Sequence, residues 1–256
     1  LEPAQKAWDF LSLALSVVTA DLAEPRDFSP DGWTRDFDLT VAVADPDFWT
    51  SQTGLIEASL AFLTTDRWRV RFVHGGELCE KPKVHEPPSE DSVVLLSGGL
   101  DSLVGTIDLV KNGKRPLAVS QIVRGDADKQ SLFADRIGPL RRLALNHNAS
   151  TPEPETSLSQ RSRSLIFIAF GVAAASALAT HQEGNEVPLY ICENGFIAIN
   201  PPLTLARMGA LSTRTAHPLF LNRIQKLLDA CGLLIRLENP YRYQTKGEML
   251  ASCVDQ

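Results

Sequence analysis

Cysteine is scarce in this chain, and its few cysteines form no recognisable motif. Only four occur among 256 residues, and they are Cys79, Cys192, Cys231 and Cys253. Their wide spacing leaves no Cys-x-x-Cys pair and no disulfide-rich pattern, which indicates reduced thiols. Internal repeats and low-complexity segments are missing as well.

Long apolar segments and an excess of positive charge are also missing. The longest apolar run, residues 165–179, is too short to cross a bilayer and lacks the flanks of a signal peptide. It therefore predicts a buried helix in a cytoplasmic protein that has no membrane partner. A net charge of −6 argues against a broadly basic surface, so nucleic acid is not an expected partner.

The remaining composition is that of a globular protein. Hydrophobic residues make up 44 % and charged residues 22 %, which suffices for one large core or two modest ones. A stretch rich in proline and charge, residues 80–91, separates two different patterns. We therefore predict an N-terminal domain over residues 1–88 and a second domain over residues 89–256. Because the chain ends abruptly at Gln256, we expect a C-terminal segment to follow.

The predicted N-terminal domain reads as a small α+β unit. Apolar residues at spacings of three and four predict a helix over the start of the chain. Alternation predicts a strand over residues 37–43, and residues 56–63 with 67–73 read as a hairpin. In the segment 67–73, three alternate residues are basic, at Arg67, Arg69 and Arg71. This row is either the solvated face of a half-covered sheet or a binding surface for an acidic partner.

Strands and helices alternate in the second domain. Four apolar segments predict strands, at residues 93–96, 116–123, 187–192 and 233–237. Five periodic segments predict helices, at residues 103–111, 128–146, 162–180, 218–231 and 246–253. This alternation predicts an α/β fold in which helices cover a parallel sheet and ligands bind at the carboxyl ends of the strands.

A glycine-rich turn follows the first of these strands. Residues 93–102 read Val-Val-Leu-Leu-Ser-Gly-Gly-Leu-Asp-Ser, so an apolar strand runs through two glycines into a helix. Such glycines let backbone N–H groups approach an anion, and the helix N-terminus adds further donors. No lysine follows them, which excludes the Gly-x-x-x-x-Gly-Lys-Ser/Thr loop. The predicted phosphate-binding residues are Ser97, Gly98, Gly99, Leu100, Asp101 and Ser102.

Within this loop Asp101 is a poor phosphate contact by itself, and we expect it to hold Mg²⁺ or a water. The alternative interpretation of the whole segment is a tight turn whose glycines serve packing alone. At the start of the long apolar helix, Arg163 is expected to neutralise a phosphate or an adenylate, because a cation next to a helix N-terminus is otherwise disfavoured. The segment holds two guanidinium groups, Arg161 and Arg163, and the alternative is a pair of surface arginines in a polar loop.

Further candidates follow the later strands. Glu193 and Asn194 come directly after an apolar strand, where Glu193 would bind magnesium or a substrate amino group unless the segment is only a turn. Arg214 and His217 lie in a long segment, residues 200–218, that reads as a lid or binding loop. They are candidates for substrate contacts or acid–base chemistry. Lys246 opens the last helix and would point a cation towards the edge of the sheet, unless it is an ordinary surface lysine.

Three of these segments, in this order and spacing, resemble the 7-cyano-7-deazaguanine synthase (QueC) family of N-type (PP-loop) ATP pyrophosphatases over about residues 92–256. They are Ser97 to Ser102, Arg163-Ser164 with the apolar residues behind it, and Thr245-Lys246-Gly247-Glu248. Where the family usually reads Pro-x-Arg-Asn, this chain reads Ser162-Arg163-Ser164, so the arginine transfers and its neighbours do not.

A second departure concerns the substrate segment. The family's Asp and Tyr-Pro-Asp-Cys run is absent, and this chain has Glu193-Asn194-Gly195-Phe196 and Asn200-Pro201-Pro202 instead. Together with the additional N-terminal domain, this resembles the QueC-like proteins of bacterial anti-phage systems such as Qat and type IV CBASS. Family members also hold a structural Zn²⁺ through four cysteines near the C-terminus, and we expect those cysteines beyond Gln256.

The resemblance implies a PP-loop (HUP-type, adenine nucleotide α-hydrolase-like) fold, with ATP and Mg²⁺ as cofactors. A carboxylate, expected to be 7-carboxy-7-deazaguanine, would be adenylated and passed to a nitrogen nucleophile. Ammonia would give a nitrile, and an amine of a partner protein would give an amide-linked deazaguanine. Arg163, Lys246 and Asp101 would be catalytic. The residues expected to contact the substrate are Glu193, Asn194, Arg214 and His217.

Two other functions stay open. A PP-loop RNA-modifying or sulfur-transfer enzyme would need a catalytic cysteine near the loop and a basic RNA surface. The acidic balance and the lack of cysteine between Cys79 and Cys192 disfavour it. A non-catalytic ATP-binding assembly subunit of a defence complex would use the same loop to hold ATP as a structural or signalling ligand.

Overall fold

A computed structural model describes residues 1–79, 86–122, 127–138, 140–147, 149, 161–199 and 214–253. We call residues 1–79 the N-terminal part and residues 86–253 the sheet part. The strands are β1 Asp36–Val43, β2 Arg67–His74, β3 Ser92–Leu95, β4 Pro116–Gln121, β5 Arg142–Leu145, β6 Val187–Tyr190 and β7 Ile235–Glu238. The helices are α1 Gln5–Ala23, α2 Pro46–Ser51, α3 Thr53–Thr64, α4 Leu100–Lys111, α5 Ala127–Ile137, α6 Arg163–Ser176, α7 Ala179–Gln182, α8 Gly195–Ala198, α9 Pro218–Ala230 and α10 Lys246–Ala251.

Five parallel strands form the central sheet, in the order β5-β4-β3-β6-β7. Every residue of β3 is buried, as expected for a strand with helices on both faces. Val93 and Leu95 pack in one hydrophobic cluster with α6, while Val94 and Leu96 pack in another that includes residues of α4 and α10. The sheet part is therefore a Rossmann-like α/β fold, which confirms the predicted parallel sheet covered by helices.

The N-terminal part contains two parallel strands rather than the predicted hairpin. β1 and β2 pair in parallel, and residues 56–63 belong to α3. Ile56, Leu60 and Leu63 are buried at spacings of four and three, so the run forms one face of a helix. The hairpin prediction was wrong because a short apolar run fits both the helical and the strand periodicity. Since β1 and β2 are parallel, they need a crossover connection, and α3 lies within it.

On the exposed face of this small sheet, the alternating arginines of β2 form ion pairs with β1. Arg69 lies 3.0 Å from Asp38, and Arg67 lies 3.4 Å from Asp36. Arg71 completes the row at 3.5 Å from Asp38. Of the two interpretations of this row, the described structure matches the solvated face.

The helix predicted over residues 128–146 is in fact a helix followed by a strand. α5 ends at Ile137, and Gly138 then adopts φ +115°, a conformation that glycine reaches without a Cβ clash. Beyond it, β5 adds an edge strand next to β4, with Leu143 and Leu145 packed towards the core. The helix predicted over residues 162–180 is likewise divided into α6 and α7.

α1 packs against α6, so the two parts share one hydrophobic cluster. Phe10, Leu13 and Val17 of α1 are buried in it, together with Ile166 and Ala169 of α6. The predicted division at residue 88 stays a prediction, and residues 80–85 of the intervening stretch lie outside the described residues. Among the described residues, no helix has the length and hydropathy that a bilayer span requires.

A buried ionic network lies beside this contact. Arg35 is 2 % exposed and donates to Asp66 at 2.8 Å and to Asp21, whose own exposure is 1 %. Arg26 binds both oxygens of Asp66, at 2.8 and 2.9 Å. Burial alone would raise the pKa of Asp66, but the hydrogen bonds from Arg35 and Arg26 outweigh it and lower that pKa below its ordinary value.

Three arginines of the sheet part also bind α3 of the N-terminal part. Arg161, Arg214 and Arg223 each donate to a backbone carbonyl in the last two turns of that helix, where the macrodipole favours cations. Their acceptors are, in that order, the carbonyls of Thr64 at 3.0 Å, Phe62 at 2.7 Å and Ala58 at 2.7 Å. The α3 helix is therefore held at its C-terminal end by the sheet part.

Replacing Arg35 with methionine is expected to lower the free energy of unfolding by about 3–5 kcal/mol, because the Asp21 carboxylate then stays buried without its cation. Urea unfolding followed by circular dichroism measures the change. Arg69→Ala is the control, since its ion pair with Asp38 is exposed and its loss should change stability little. Equal losses in the two variants would contradict the role of the buried network.

Candidate functional site

The glycine-rich loop after β3 forms a turn that leads directly into α4. Gly98 has φ +88°, a left-handed conformation that suits glycine, and Gly99 is the N-cap of α4. Because Gly99 has no side chain, no side chain at the N-cap binds the first N–H groups of the helix. Ser102 donates its hydroxyl to the Gly99 carbonyl at 2.9 Å, and Ser97 donates to Ser102 at 3.1 Å. α4 begins at Leu100, three residues before its predicted start.

This loop lies where the strand order of the sheet reverses. β3 pairs with β4 on one side and β6 on the other, and the chain forms β4 and β5 before it returns to form β6. The loops that follow β3 and β6 therefore adjoin at the carboxyl ends of the strands, and we call this position the crevice. In open α/β sheets this is the usual position of a ligand site.

Asp101 joins the two loops across this crevice. Its Oδ2 accepts hydrogen bonds from the backbone N–H of Asn194 at 3.1 Å and from the Asn194 side chain at 2.6 Å. Its Oδ1 lies 3.0 Å from Nζ of Lys246. Burial alone would raise the pKa of Asp101, but the bonds from Asn194 and the Lys246 cation lower it, so the carboxylate is ionised at neutral pH. Three predicted site residues are thus in direct contact.

Local capping fixes both partners of Asp101. The Oδ1 of Asn194 accepts from the Ile197 N–H at 3.1 Å as the N-cap of α8, which orients the amide nitrogen towards Asp101. At the start of α10, Thr245 and Glu248 form a reciprocal capping box. Lys246 is therefore the first residue of a well-defined helix, and its side chain remains 48 % exposed.

Glu193 precedes Asn194 and lies beside this cluster. Burial and then the neighbouring Asp101 charge raise its pKa from 4.5 to about 7, although Lys246 acts in the opposite direction. Its backbone carbonyl accepts from the side chain of Asn239 at 2.8 Å, which ties the β6 loop to the loop after β7. Glu193 is thus a carboxyl group that changes protonation near neutral pH at the edge of the crevice.

Sequence reasoning missed the residues that bring these loops together. Gly195 donates its N–H to the Gln244 carbonyl at 2.8 Å, and a Cβ at this position would overlap the Arg242 carbonyl. Behind them, Tyr241 donates its hydroxyl to Asp108 of α4 at 2.5 Å. The Asn-Gly pair signalled a turn, but nothing in the sequence pattern signalled this close approach between distant loops.

Arg163 lies at the same edge of the sheet, two strands along from the glycine loop. It is the first residue of α6 and lies near His147, which follows β5. Burial lowers the pKa of His147, and the Arg163 charge adds to that effect. The role of Arg163 at a phosphate stays a prediction.

Arg214 and His217 contact the N-terminal part. The Arg214 guanidinium lies 4.9 Å from the Phe62 ring, in addition to its bond with the Phe62 carbonyl. His217 is the N-cap of α9 and accepts from the Leu219 N–H at 3.1 Å, with its ring against Phe62. Both side chains therefore have packing and capping roles, and their predicted substrate contacts are untested. Residues 200–213 of the predicted binding loop lie outside the described residues.

The donor set of the crevice suits a magnesium ion that is shared with phosphates. Mg²⁺ in nucleotide sites is held by one or two carboxylates together with phosphate oxygens, and Asp101 and Glu193 supply two carboxylates here. Among the described residues, no three His, Cys, Asp or Glu side chains form a metal-binding group. The zinc site that the resemblance implies, with cysteines expected beyond Gln256, stays a prediction.

No protein-family model, curated protein or solved structure matches this chain. A functional conclusion therefore depends on the geometry and the chemistry of the crevice.

Glu193→Gln is expected to stabilise the protein relative to wild type as the pH rises. Folded Glu193 keeps its proton up to about pH 7, whereas the unfolded chain loses it near 4.5. Wild-type stability therefore falls across this window, while glutamine does not titrate. The difference in Tm between variant and wild type should grow from about pH 5 to about pH 8.

Glu248→Gln serves as the control for sign. Its hydrogen bonds from Thr245 lower the pKa of Glu248 below the ordinary value of 4.5, so this carboxylate stabilises the fold fully above that pH. The Tm of the variant relative to wild type should therefore fall as the pH rises to about 5 and should stay constant from about pH 5 to about pH 8. A Tm difference for Glu193→Gln that is constant with pH would show that Glu193 is not held in a desolvated position.

Proposed function

We propose that this chain is an ATP pyrophosphatase-type enzyme of the PP-loop class, which adenylates a carboxylate and passes it to a nitrogen nucleophile. The observation that carries the proposal is the juxtaposition, at the strand-order reversal, of a glycine turn, a helix start without a side-chain cap, and an ionised Asp101 held by Lys246 and Asn194. Backbone donors, a cation and a fixed carboxylate are the groups that nucleotide phosphates and their metal require.

In the proposed reaction, the backbone N–H groups at the start of α4 bind the pyrophosphate portion of ATP. An oxygen of the substrate carboxylate attacks the α-phosphorus, the bond to the β-phosphate oxygen breaks, and pyrophosphate leaves. Lys246 and Arg163 neutralise the charge that develops on the α-phosphate. Asp101 and Glu193 would hold Mg²⁺, which would supply further neutralisation of phosphate charge.

The second half of the proposed reaction transfers the acyl group. A nitrogen nucleophile attacks the carbonyl carbon of the adenylate, AMP leaves, and the nitrogen loses a proton. That proton passes to solvent water, since Glu193 is assigned to the magnesium ion in this proposal. Following the resemblance, the substrate is 7-carboxy-7-deazaguanine. The nucleophile is ammonia, whose amide gives a nitrile on loss of water, or an amine of a partner protein in an anti-phage system.

The state of Cys192 disfavours the RNA-modifying, sulfur-transfer alternative. This cysteine follows β6 and is near the crevice, yet it is 2 % exposed and packs against Gly105 of α4. Burial, with the neighbouring Glu193 charge, raises the pKa of its thiol far above the ordinary value. A catalytic sulfur nucleophile needs an accessible thiolate, and Cys192 has neither property.

Release of pyrophosphate from magnesium ATP, stimulated by 7-carboxy-7-deazaguanine, tests the proposed function. Lys246→Ala should lower turnover by about a hundredfold, because it removes one cation from the reacting phosphate. Lys6→Ala is the matched control, since Lys6 forms a comparable ion pair with Asp45 at 2.7 Å far from the crevice. Its turnover should equal that of wild type.

Two results would contradict the proposal. Calorimetry that detects no binding of magnesium ATP to the wild-type protein would remove the nucleotide site itself. Binding of ATP without pyrophosphate release, in the presence of the deazaguanine carboxylate and ammonia or the partner protein, would favour the non-catalytic assembly subunit. For the protein-amine route, mass spectrometry of the partner should show a deazaguanine-sized adduct that disappears with Lys246→Ala.

A further inference from the structure

The first turn of α6 is anchored to the N-terminal part by an unusual use of its N-cap residue. A serine at the N-cap ordinarily accepts a hydrogen bond from its own helix. Here Ser162 makes no such bond. Its hydroxyl instead donates to Oδ2 of Asp21 at 2.5 Å, and its backbone N–H donates to the same oxygen at 3.1 Å. Both residues are almost fully buried.

The carboxylate that receives these bonds is itself held in place. Arg35 donates to the other oxygen of Asp21, Oδ1, and also to the backbone carbonyl of Asp21 at 3.0 Å. Arg35 in turn binds Asp66. The Asp21 side chain therefore cannot turn without breaking bonds in a connected network. Arg161 adds a further link, from its guanidinium to the hydroxyl of Thr65 at 3.0 Å.

We propose that the N-terminal part positions Arg163 for catalysis, with Asp21 and Ser162 as positioning residues. Arg163 follows Ser162 directly, so the bonds to Asp21 fix the backbone from which the guanidinium extends. The inference rests on the proposed function, in which Arg163 neutralises the α-phosphate. A guanidinium that stabilises a transition state must be held in place before the reaction, since small displacements cost large factors in rate.

Two serine-to-alanine variants of the same helix test this role. Ser162→Ala removes the hydroxyl bond to Asp21 at the Arg163 end of α6. The matched control is Ser176→Ala at the opposite end, where Ser176 is also buried and its hydroxyl accepts from the Ala4 N–H of the N-terminal part at 3.1 Å. Each variant loses one buried hydrogen-bonding hydroxyl between the two parts, so both should lower Tm by about 2–4 °C.

Only Ser162→Ala should change the chemistry. Its kcat for pyrophosphate release is expected to fall roughly tenfold with little change in the KM for ATP, because the interaction that is lost acts in the transition state. Ser176→Ala should keep both constants. Equal kcat values for the two variants would overturn the positioning role, since a merely structural contact would lower stability in both and turnover in neither.

Hydrogen exchange gives a readout that does not need activity. In Ser162→Ala, the amides in the first turn of α6 should exchange about tenfold faster than in wild type, whereas Ser176→Ala should leave them unchanged. If the wild-type protein releases no pyrophosphate, the proposed function fails, and exchange alone decides whether Asp21 orders this turn. Unchanged exchange in Ser162→Ala would then overturn the inference on its own.

Discussion

The carboxylate of Asp21 is the group on which the junction of the two parts depends. Its two oxygens bind different parts of the protein, Arg35 on one side and Ser162 on the other. A buried charge is costly unless its partners stay in place, and removing one partner leaves the penalty without compensation. Apolar contact between α1 and α6 adds an attraction that is non-directional. The ionic network therefore fixes how α1 aligns with the start of α6.

The crevice contains a second buried carboxylate that is held differently. Asp101 also accepts from a neighbouring loop and pairs with a cation, yet its cation, Lys246, is 48 % exposed, whereas the Arg35 side chain is 1 % exposed. The half-exposed ammonium of Lys246, on a flexible side chain, exchanges partners readily. The buried guanidinium of Arg35, which binds carboxylates through several N–H groups, does not. The Asp21 network is accordingly suited to permanent structure. The Asp101 cluster is suited to a site where an anion competes for the same lysine.

Sequence patterns predicted the parallel sheet and the glycine loop because each depends on local signals, namely short apolar runs and a strand–glycine–helix order. They failed for α3 and for β5, because a short apolar segment fits both the helical and the strand periodicity. Which structure forms there depends on the elements that pack against the segment. Asp101, Asn194 and Lys246 were predicted individually from their places after strands or at helix starts, and the parallel sheet brings them together. The partner of Arg214 was not predictable, since the Phe62 carbonyl belongs to a helix that sequence reasoning had assigned as a strand.

The tripeptide Arg161-Ser162-Arg163 contributes both to the contact between the two parts and to the proposed catalytic site. Two guanidinium groups beside a helix N-terminus pose an electrostatic conflict that anions or carbonyl oxygens must resolve. For Arg161 the protein resolves it internally, with the last carbonyl of α3 and the Thr65 hydroxyl, although burial and the nearby Arg26 charge still lower its pKa to about 10. Ser162 is fixed by Asp21. Arg163 thus follows two residues, Arg161 and Ser162, that are anchored to the N-terminal part. It lies at the sheet edge where ligands bind in this class of fold.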